Sequence, residues 1–153
     1  MFASLAIALV AAGLAIGCWF RPVPGTNAPQ KPPTPNYTGA EITDAKTSVC
    51  AAYQKVNHAL SVANARNGGT DPTEGLAVAT STRQVLDAGS RYLLTKLAEE
   101  KATPTDLETA VRKLATEYQE LTIDYLADVS DSDMQPSFHA SDQATAKIDE
   151  ICK

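Results

Sequence analysis

The stretch Tyr37–Ala63, YTGAEITDAKTSVCAAYQKVNHALSVA, decides the fold of this chain. Thr38 and Glu41 have the T-x-x-E spacing of a capping box, which predicts that a helix begins at this point. Apolar residues then recur in alternating steps of three and four, the spacing of a seam that another helix covers. The seam residues are Ile42, Ala45, Val49, Ala52, Val56, Ala59 and Ala63. Most of them are alanines, so we expect the partner helices to approach closely.

Two further helices follow, each with a proline near its start. The second is predicted from Asp71 to about Ala102, with Asp71 as the N-cap and Pro72 at the first helical position. The third is predicted from Thr103, as its cap, to about Val129. Its apolar residues step by four and three without a break, which is the strongest helical pattern in the chain. These residues are Leu107, Val111, Leu114, Tyr118, Leu121 and Tyr125.

A fourth helix is predicted from about Ser137 to Ile151, after a polar connection that Pro136 interrupts. Four amphipathic helices joined by short turns favour an all-α fold, an up-down-up-down four-helix bundle over residues 38–153. In that topology the end of the fourth helix returns beside the first, which brings Cys152 towards Cys50. Neither cysteine belongs to a C-x-x-C pair, so we expect a disulfide between them in an oxidising compartment. The alternative is two buried free thiols.

The N-terminal run Ala3–Phe20, ASLAIALVAAGLAIGCWF, is apolar throughout. Its length is close to the roughly 20 residues that span a bilayer as a helix, so we expect residues 1–20 to form a transmembrane anchor or signal-anchor. Two alternatives stay open. A cleaved secretory signal would carry a positively charged start and an A-x-A site, and both are missing here. A lipoprotein signal would lipidate Cys18, because the sequence AIGC at Ala15–Cys18 loosely resembles a lipobox.

Most of the prolines lie in Arg21–Asn36, RPVPGTNAPQKPPTPN. This composition predicts an extended, polyproline-like linker over residues 21–37, and a proline-rich ligand for another module is the alternative. An anchor, a linker and a disulfide-bonded domain together predict a single-pass plasma-membrane protein. Its C-terminal domain is expected on the extracytoplasmic side.

The charge of the chain restricts its partners. A formal charge of −5, with no basic cluster among aromatic residues, argues against nucleic acid. No Lys or Arg occurs between Lys113 and Lys147. The acidic residues in that segment are Glu117, Glu120, Asp124, Asp128, Asp131, Asp133 and Asp142. A solvated acidic face is the favoured interpretation, and a binding surface is the alternative.

Catalytic and metal-binding patterns are weak in this sequence. His58 and His139 are the only histidines, and neither has a second ligand type one helical turn away. Asp128, Asp131 and Asp133 resemble part of a calcium loop, but the glycine and the closing glutamate of an EF-hand are missing. No nucleophile elbow, zincin motif or dinucleotide fingerprint is present. We therefore expect neither an enzyme nor a cofactor.

Gly89 lies in the middle of the second predicted helix, where glycine costs about 1 kcal/mol relative to alanine. A close helix crossing would offset this cost and is the favoured explanation. The alternative is a small-ligand pocket between the second and third helices, formed by Gly89, Tyr92, Tyr118 and Tyr125.

Six segments of the chain together carry a resemblance to a protein family. They are AIALVAAGLAIGCWFRP at 6–22, the proline-rich linker, AKTSVCAAYQKV at 45–56, RNGGTDP at 66–72, SRYLLTKLAEEKATPTDLETAVRKLATEYQELTIDYLAD at 90–128, and ICK at 151–153. In this combination the chain resembles an uncharacterised family of small, alanine- and proline-rich, membrane-anchored proteins of mycobacteria. The resemblance implies a location and an architecture, and it carries no activity or functional residue. Cys18 departs from it, because a small apolar residue is expected there.

The function hypotheses follow from these features. The leading one is a non-enzymatic interaction or scaffolding module of the cell envelope, anchored in the plasma membrane and contacting envelope proteins. The second is a small-ligand-binding or sensing bundle that uses the pocket described above.

Overall fold

The structure is a computed structural model that describes residues 36–65 and 71–153. Within these residues the chain is all-α and forms a four-helix bundle, with no strand. The helices are α1 (Gly39–Asn64), α2 (Pro72–Glu99), α3 (Thr105–Leu126) and α4 (Asp131–Ile151). The predicted anchor over residues 1–20, with Cys18, and nearly all of the 21–37 linker lie outside the described residues. No helix in the described ranges combines the length and the hydropathy that crossing a membrane requires.

The predicted starts of α1 and α2 are confirmed. The Thr38 amide donates to the Glu41 carboxylate at 2.7 Å, and the Glu41 amide donates to the Thr38 hydroxyl at 3.3 Å. Asp71 caps α2, because its carboxylate accepts a hydrogen bond from the amide two residues on at 2.8 Å. Five of the seven seam residues of α1 are buried. The exceptions are Ile42, in the first turn, and Ala59, which faces solvent.

The predicted Thr103 cap of α3 is wrong. Pro104 occupies the N-cap position without a side-chain hydrogen bond. The Thr103 hydroxyl donates instead to the Glu100 carbonyl at 2.6 Å. Thr103 therefore belongs to the turn after α2, which ends at Glu99 and not near Ala102.

α3 ends at Leu126, three residues before the predicted Val129. Asp128 has a left-handed backbone conformation, with φ 56°. The Val129 amide donates to the Asp124 carbonyl at 3.0 Å. This bond satisfies a carbonyl that the helix end leaves free, so the chain turns here towards α4.

α4 begins at Asp131, six residues before the predicted Ser137, because Pro136 does not stop the helix. The Ser130 hydroxyl caps the helix by accepting from the amide three residues on at 3.4 Å. Met134 fixes the first turns of α4 in the core, with 2% of its surface exposed. Pro136 removes one backbone hydrogen bond near the helix start, and the cap and the buried Met134 outweigh that loss.

Consecutive helices pack side by side, and α1 and α2 run antiparallel. Lys55 of α1 contacts Tyr92 of α2, whereas Asn64, nine residues on, contacts Thr82 of α2, ten residues back. These two contacts show that moving forward along α1 is moving backward along α2.

Tyr125 of α3 lies between its two neighbouring helices. The guanidinium of Arg83, on α2, lies 6.0 Å from the centroid of the Tyr125 ring. The ring of Phe138, on α4, meets Tyr125 edge-on, with 6.4 Å between centroids. The order of helix contacts therefore agrees with the predicted up-down-up-down arrangement.

A disulfide joins the first helix to the end of the last. Cys50 and Cys152 are bonded, with their Cα atoms 5.7 Å apart, which confirms the predicted pair. Beside it, the Tyr53 hydroxyl donates to the Asp149 carboxylate at 2.8 Å. These two links hold α1 against α4 and close the bundle.

Gly89 marks a close approach of α1 and α2. A Cβ atom at this position would lie 2.7 Å from Cγ1 of Val56, closer than packed side chains tolerate. Because Gly89 is buried, its lack of a side chain lets the two helices cross tightly. The close helix crossing expected from the sequence is confirmed.

Gly89→Ala should lower the free energy of unfolding by about 1–3 kcal/mol, because the new methyl group overpacks against Val56. Gly75→Ala is the matched control. It lies in the same helix, and a Cβ there meets nothing within 4 Å. This control should stabilise the protein by up to about 1 kcal/mol through helix propensity. Urea unfolding of the two variants measures both effects.

Measuring Gly89→Ala in a Val56→Ala variant separates the effect of overpacking from the effect of helix propensity. Val56→Ala removes the methyl group that the new Cβ meets, so Gly89→Ala should cost less in that variant. If Gly89→Ala lowers the free energy of unfolding equally in the parent chain and in Val56→Ala, contact with Val56 is not the reason that glycine is needed at position 89.

Candidate functional site

An open groove of about 780 Å³ runs along the solvent side of α1 and α2. On α1 it is lined by Lys55, Val56, His58, Ala59, Val62 and Ala63. On α2 it is lined by Ser81, Gln84, Val85, Ala88, Gly89 and Tyr92. From Ser81 to Tyr92 it extends about 16 Å, or about three helical turns.

The groove is mostly apolar because α2 presents Val85, Ala88 and Tyr92 on one side, and α1 presents three of its seam residues together with Val62. On α2, positions 81, 85, 88 and 92 step by four, three and four, so they share one side of the helix. The solvent side of a bundle helix normally carries polar residues. Here Val62 and Tyr92 leave 42% and 39% of their surface exposed. The groove residues belong to no sequence motif. The four-three-four spacing on α2 is the sequence signal from which this part of the groove could have been predicted.

Lys55 is the only formally charged residue among the described residues that line the groove. Its Nζ lies 5.4 Å from the centroid of the Tyr92 ring, within the range of a cation–π contact. Within residues 36–65 and 71–153 no carboxylate lines the groove, although acidic residues outnumber basic residues in the chain by 18 to 13. The groove therefore offers an apolar floor with one cation at its rim.

The four residues predicted to share a ligand pocket lie in separate places. Gly89 and Tyr92 line the groove, which lies between α1 and α2 and not between α2 and α3. Tyr118 is buried in the core, with 4% of its surface exposed. Tyr125 is half-buried and packs against the core from its position between α2 and α4. The groove therefore uses two of these residues and leaves the other two to packing.

Burial governs the protonation of the two tyrosines on α3. It raises the pKa of Tyr118 to about 12, and the Asp142 carboxylate on α4 adds to this shift. Burial also raises the pKa of Tyr125, with a further contribution from Asp131 and an opposing one from Arg83. Both phenols keep their protons at neutral pH, as expected for packing groups.

The histidines and the acidic turn do not gather into a site. His58 is exposed at the groove, and His139 is exposed on α4. The Asp133 carboxylate accepts from the Ser130 hydroxyl at 2.7 Å, so it belongs to the cap of α4. In residues 36–65 and 71–153, no group of three or more His, Cys, Asp or Glu is arranged to hold a metal ion.

The comparisons with known proteins do not assign this groove. No protein-family model, curated protein or solved structure matches the chain. The resemblance to mycobacterial membrane proteins stays a prediction.

Stability should fall between about pH 10 and pH 12, because the folded bundle holds Tyr118 in its neutral form. An unfolded tyrosine loses its proton near pH 10, whereas the pKa of folded Tyr118 is about 12. The stabilisation is complete below the unfolded pKa and is lost as the pH rises through the folded pKa. Tyr118→Phe should therefore flatten the curve of unfolding free energy against pH in this range.

Tyr53 acts in the same direction, because burial and its hydrogen bond to Asp149 raise its pKa too. Some slope should therefore remain in the Tyr118→Phe variant. Urea unfolding at several alkaline pH values gives the free energy of unfolding, and tyrosinate absorbance gives the ionisation of the tyrosines. An identical slope in the variant and the parent chain would contradict the role assigned to Tyr118.

Proposed function

We propose that the chain is a non-enzymatic interaction module of the cell envelope, and that its α1–α2 groove binds an amphipathic helix. The observation that carries the proposal is the shape and lining of the groove, which is open along one side and apolar at its floor. It is about three helical turns long. Helix-in-groove recognition uses such a surface to accept apolar side chains spaced by three, four and seven residues.

The bound helix carries an acidic residue beside its apolar face. Lys55 lies at the rim, and no carboxylate among the described lining residues competes for it. An aspartate or glutamate of the partner would therefore pair with Lys55. At an exposed rim such a pair contributes more to orientation and specificity than to affinity.

A helix suits this surface better than a small molecule does. Small-molecule sites bury most of the ligand surface in a concave pocket, whereas this groove is open along its length. The small-ligand alternative also relies on Tyr118 and Tyr125, which lie outside the groove. We therefore place the interaction hypothesis first.

The envelope location is part of the same proposal. An oxidising compartment favours the Cys50–Cys152 disulfide. The apolar run at residues 1–20 has the length of a membrane anchor. We place the bundle on the extracytoplasmic side of the plasma membrane, tethered through the proline-rich linker.

A displayed library of amphipathic helices tests the groove. Selection against the full-length chain should enrich helices with one apolar face and an acidic residue beside it. Ala88→Trp, which fills the groove from an exposed position, should weaken their binding by at least about tenfold. Lys55→Glu should weaken the selected acidic helices and spare their versions with Gln in place of the acidic residue.

The matched control is Leu76→Ser, which removes an exposed aliphatic side chain of α2 outside the groove and should leave binding unchanged. Selected helices that bind Ala88→Trp as tightly as the parent chain would overturn the proposal. A selection that enriches no apolar face would overturn it as well.

The location is tested by mapping the cysteines of the native chain. Free thiols are trapped before lysis, and the peptides are analysed without reduction. We expect a linked Cys50–Cys152 peptide, in agreement with an extracytoplasmic bundle. Two trapped thiols would place the bundle in the cytoplasm and move the search for partners there.

A further inference from the structure

The outward face of α3 carries two large aliphatic side chains that the bundle core does not use. Ile123 and Leu126 lie one helical turn apart, and they are 60% and 66% exposed. Glu120 is also exposed and lies one turn before Ile123, on the same side of the helix. We call Glu120, Ile123 and Leu126 the α3 ridge. A pair of neighbouring exposed aliphatic residues is a starting point for a contact surface.

The ridge and the groove are complementary in charge. The ridge lies in the segment between Lys113 and Lys147, which contains no Lys or Arg. The groove carries Lys55 and no carboxylate among its described lining residues. An acidic helix that approaches the groove therefore meets a cation and no opposing carboxylate in the lining.

The two surfaces also match in spacing. Along α1 the groove presents Lys55 and, seven residues on, Val62. Along α3 the ridge presents Glu120 and, six residues on, Leu126. These separations correspond to about 10.5 Å along α1 and about 9 Å along α3. A ridge laid parallel to α1 therefore brings Glu120 to Lys55 and the aliphatic pair onto the apolar floor.

We infer that a second copy of this chain docks its α3 ridge in the α1–α2 groove. The inference rests on the proposed function, because it names one helix that the groove accepts. α3 packs against α2 and α4, so its ridge faces a different side of the bundle from the groove. The contact is therefore head-to-tail. It leaves a free groove on one copy and a free ridge on the other, which permits open chains or rings of copies.

A mixing experiment with the full-length chain in excess detergent micelles tests this contact. Two versions with different tags are combined, and the fraction isolated together is measured. The groove variant is Ala88→Trp, and the ridge variant is Ile123→Ser with Leu126→Ser. When both tagged versions carry the same variant, the fraction isolated together should fall about tenfold relative to the parent chain.

The mixture of the two variants decides the arrangement. The groove variant keeps an intact ridge, and the ridge variant keeps an intact groove. Together they should pair to within about twofold of the parent chain, because one complete contact can form between them. The control Leu76→Ser, an equally exposed aliphatic residue of α2, should pair like the parent chain. Circular dichroism verifies that each variant keeps its helical content.

A charge exchange tests the register. Lys55→Glu and Glu120→Lys should each weaken pairing alone, and the mixture of the two should recover it. Pairing that persists equally in all variants would overturn the inference and place the contact elsewhere in the chain. Absence of pairing in the parent chain, or no recovery in either mixture, would overturn it too. Neither result would change the outcome of the helix selection, so the groove proposal is judged separately.

Discussion

The covalent link between Cys50 and Cys152 is the constraint on which the closure of the bundle depends. The other neighbouring helices are consecutive in the chain, so a short connection brings each pair together. The two cysteines are 102 residues apart, and the disulfide removes much of the chain entropy that closing such a loop would cost. The hydrogen bond from Tyr53 to Asp149 lies three residues forward on α1 and three residues back on α4. Both links therefore fix the same antiparallel register between the first helix and the last.

This closure determines which side of α1 stays open. Cys50 and Tyr53 hold α1 to α4, and Val56 meets Gly89 of α2, so two sides of α1 are covered. The side that carries Val62 borders α2 without being covered by it, and the groove lies there. On that side Val62 and, across the groove, Tyr92 leave apolar surface in contact with water. The proposed binding role would give this exposed apolar surface a use.

Local sequence chemistry predicts the parts of the fold that local chemistry decides. The capping box at Thr38 and the unbroken seam of α3 need no knowledge of the other helices, and both are confirmed. The predicted start of α4 is wrong because Pro136 is a local stop signal. The burial of Met134, which extends the helix before Pro136, depends on the assembled bundle. The candidate site was predicted only in part for the same reason. Tyr92 and Tyr118 are the same residue type, and only the packing of neighbouring helices leaves the first in an open groove and buries the second.

The net charge of −5 opposes any contact between copies of this chain. Like-charged copies repel each other at long range, and salt screens that repulsion. An exposed pair such as Lys55 and Glu120 contributes less than about 1 kcal/mol and is screened as well. The apolar contact of Ile123 with the groove floor must therefore supply most of the attraction. Such a contact forms rarely at low concentration. Its occupancy rises when copies are held close together, as on a membrane surface, because their effective concentration is higher.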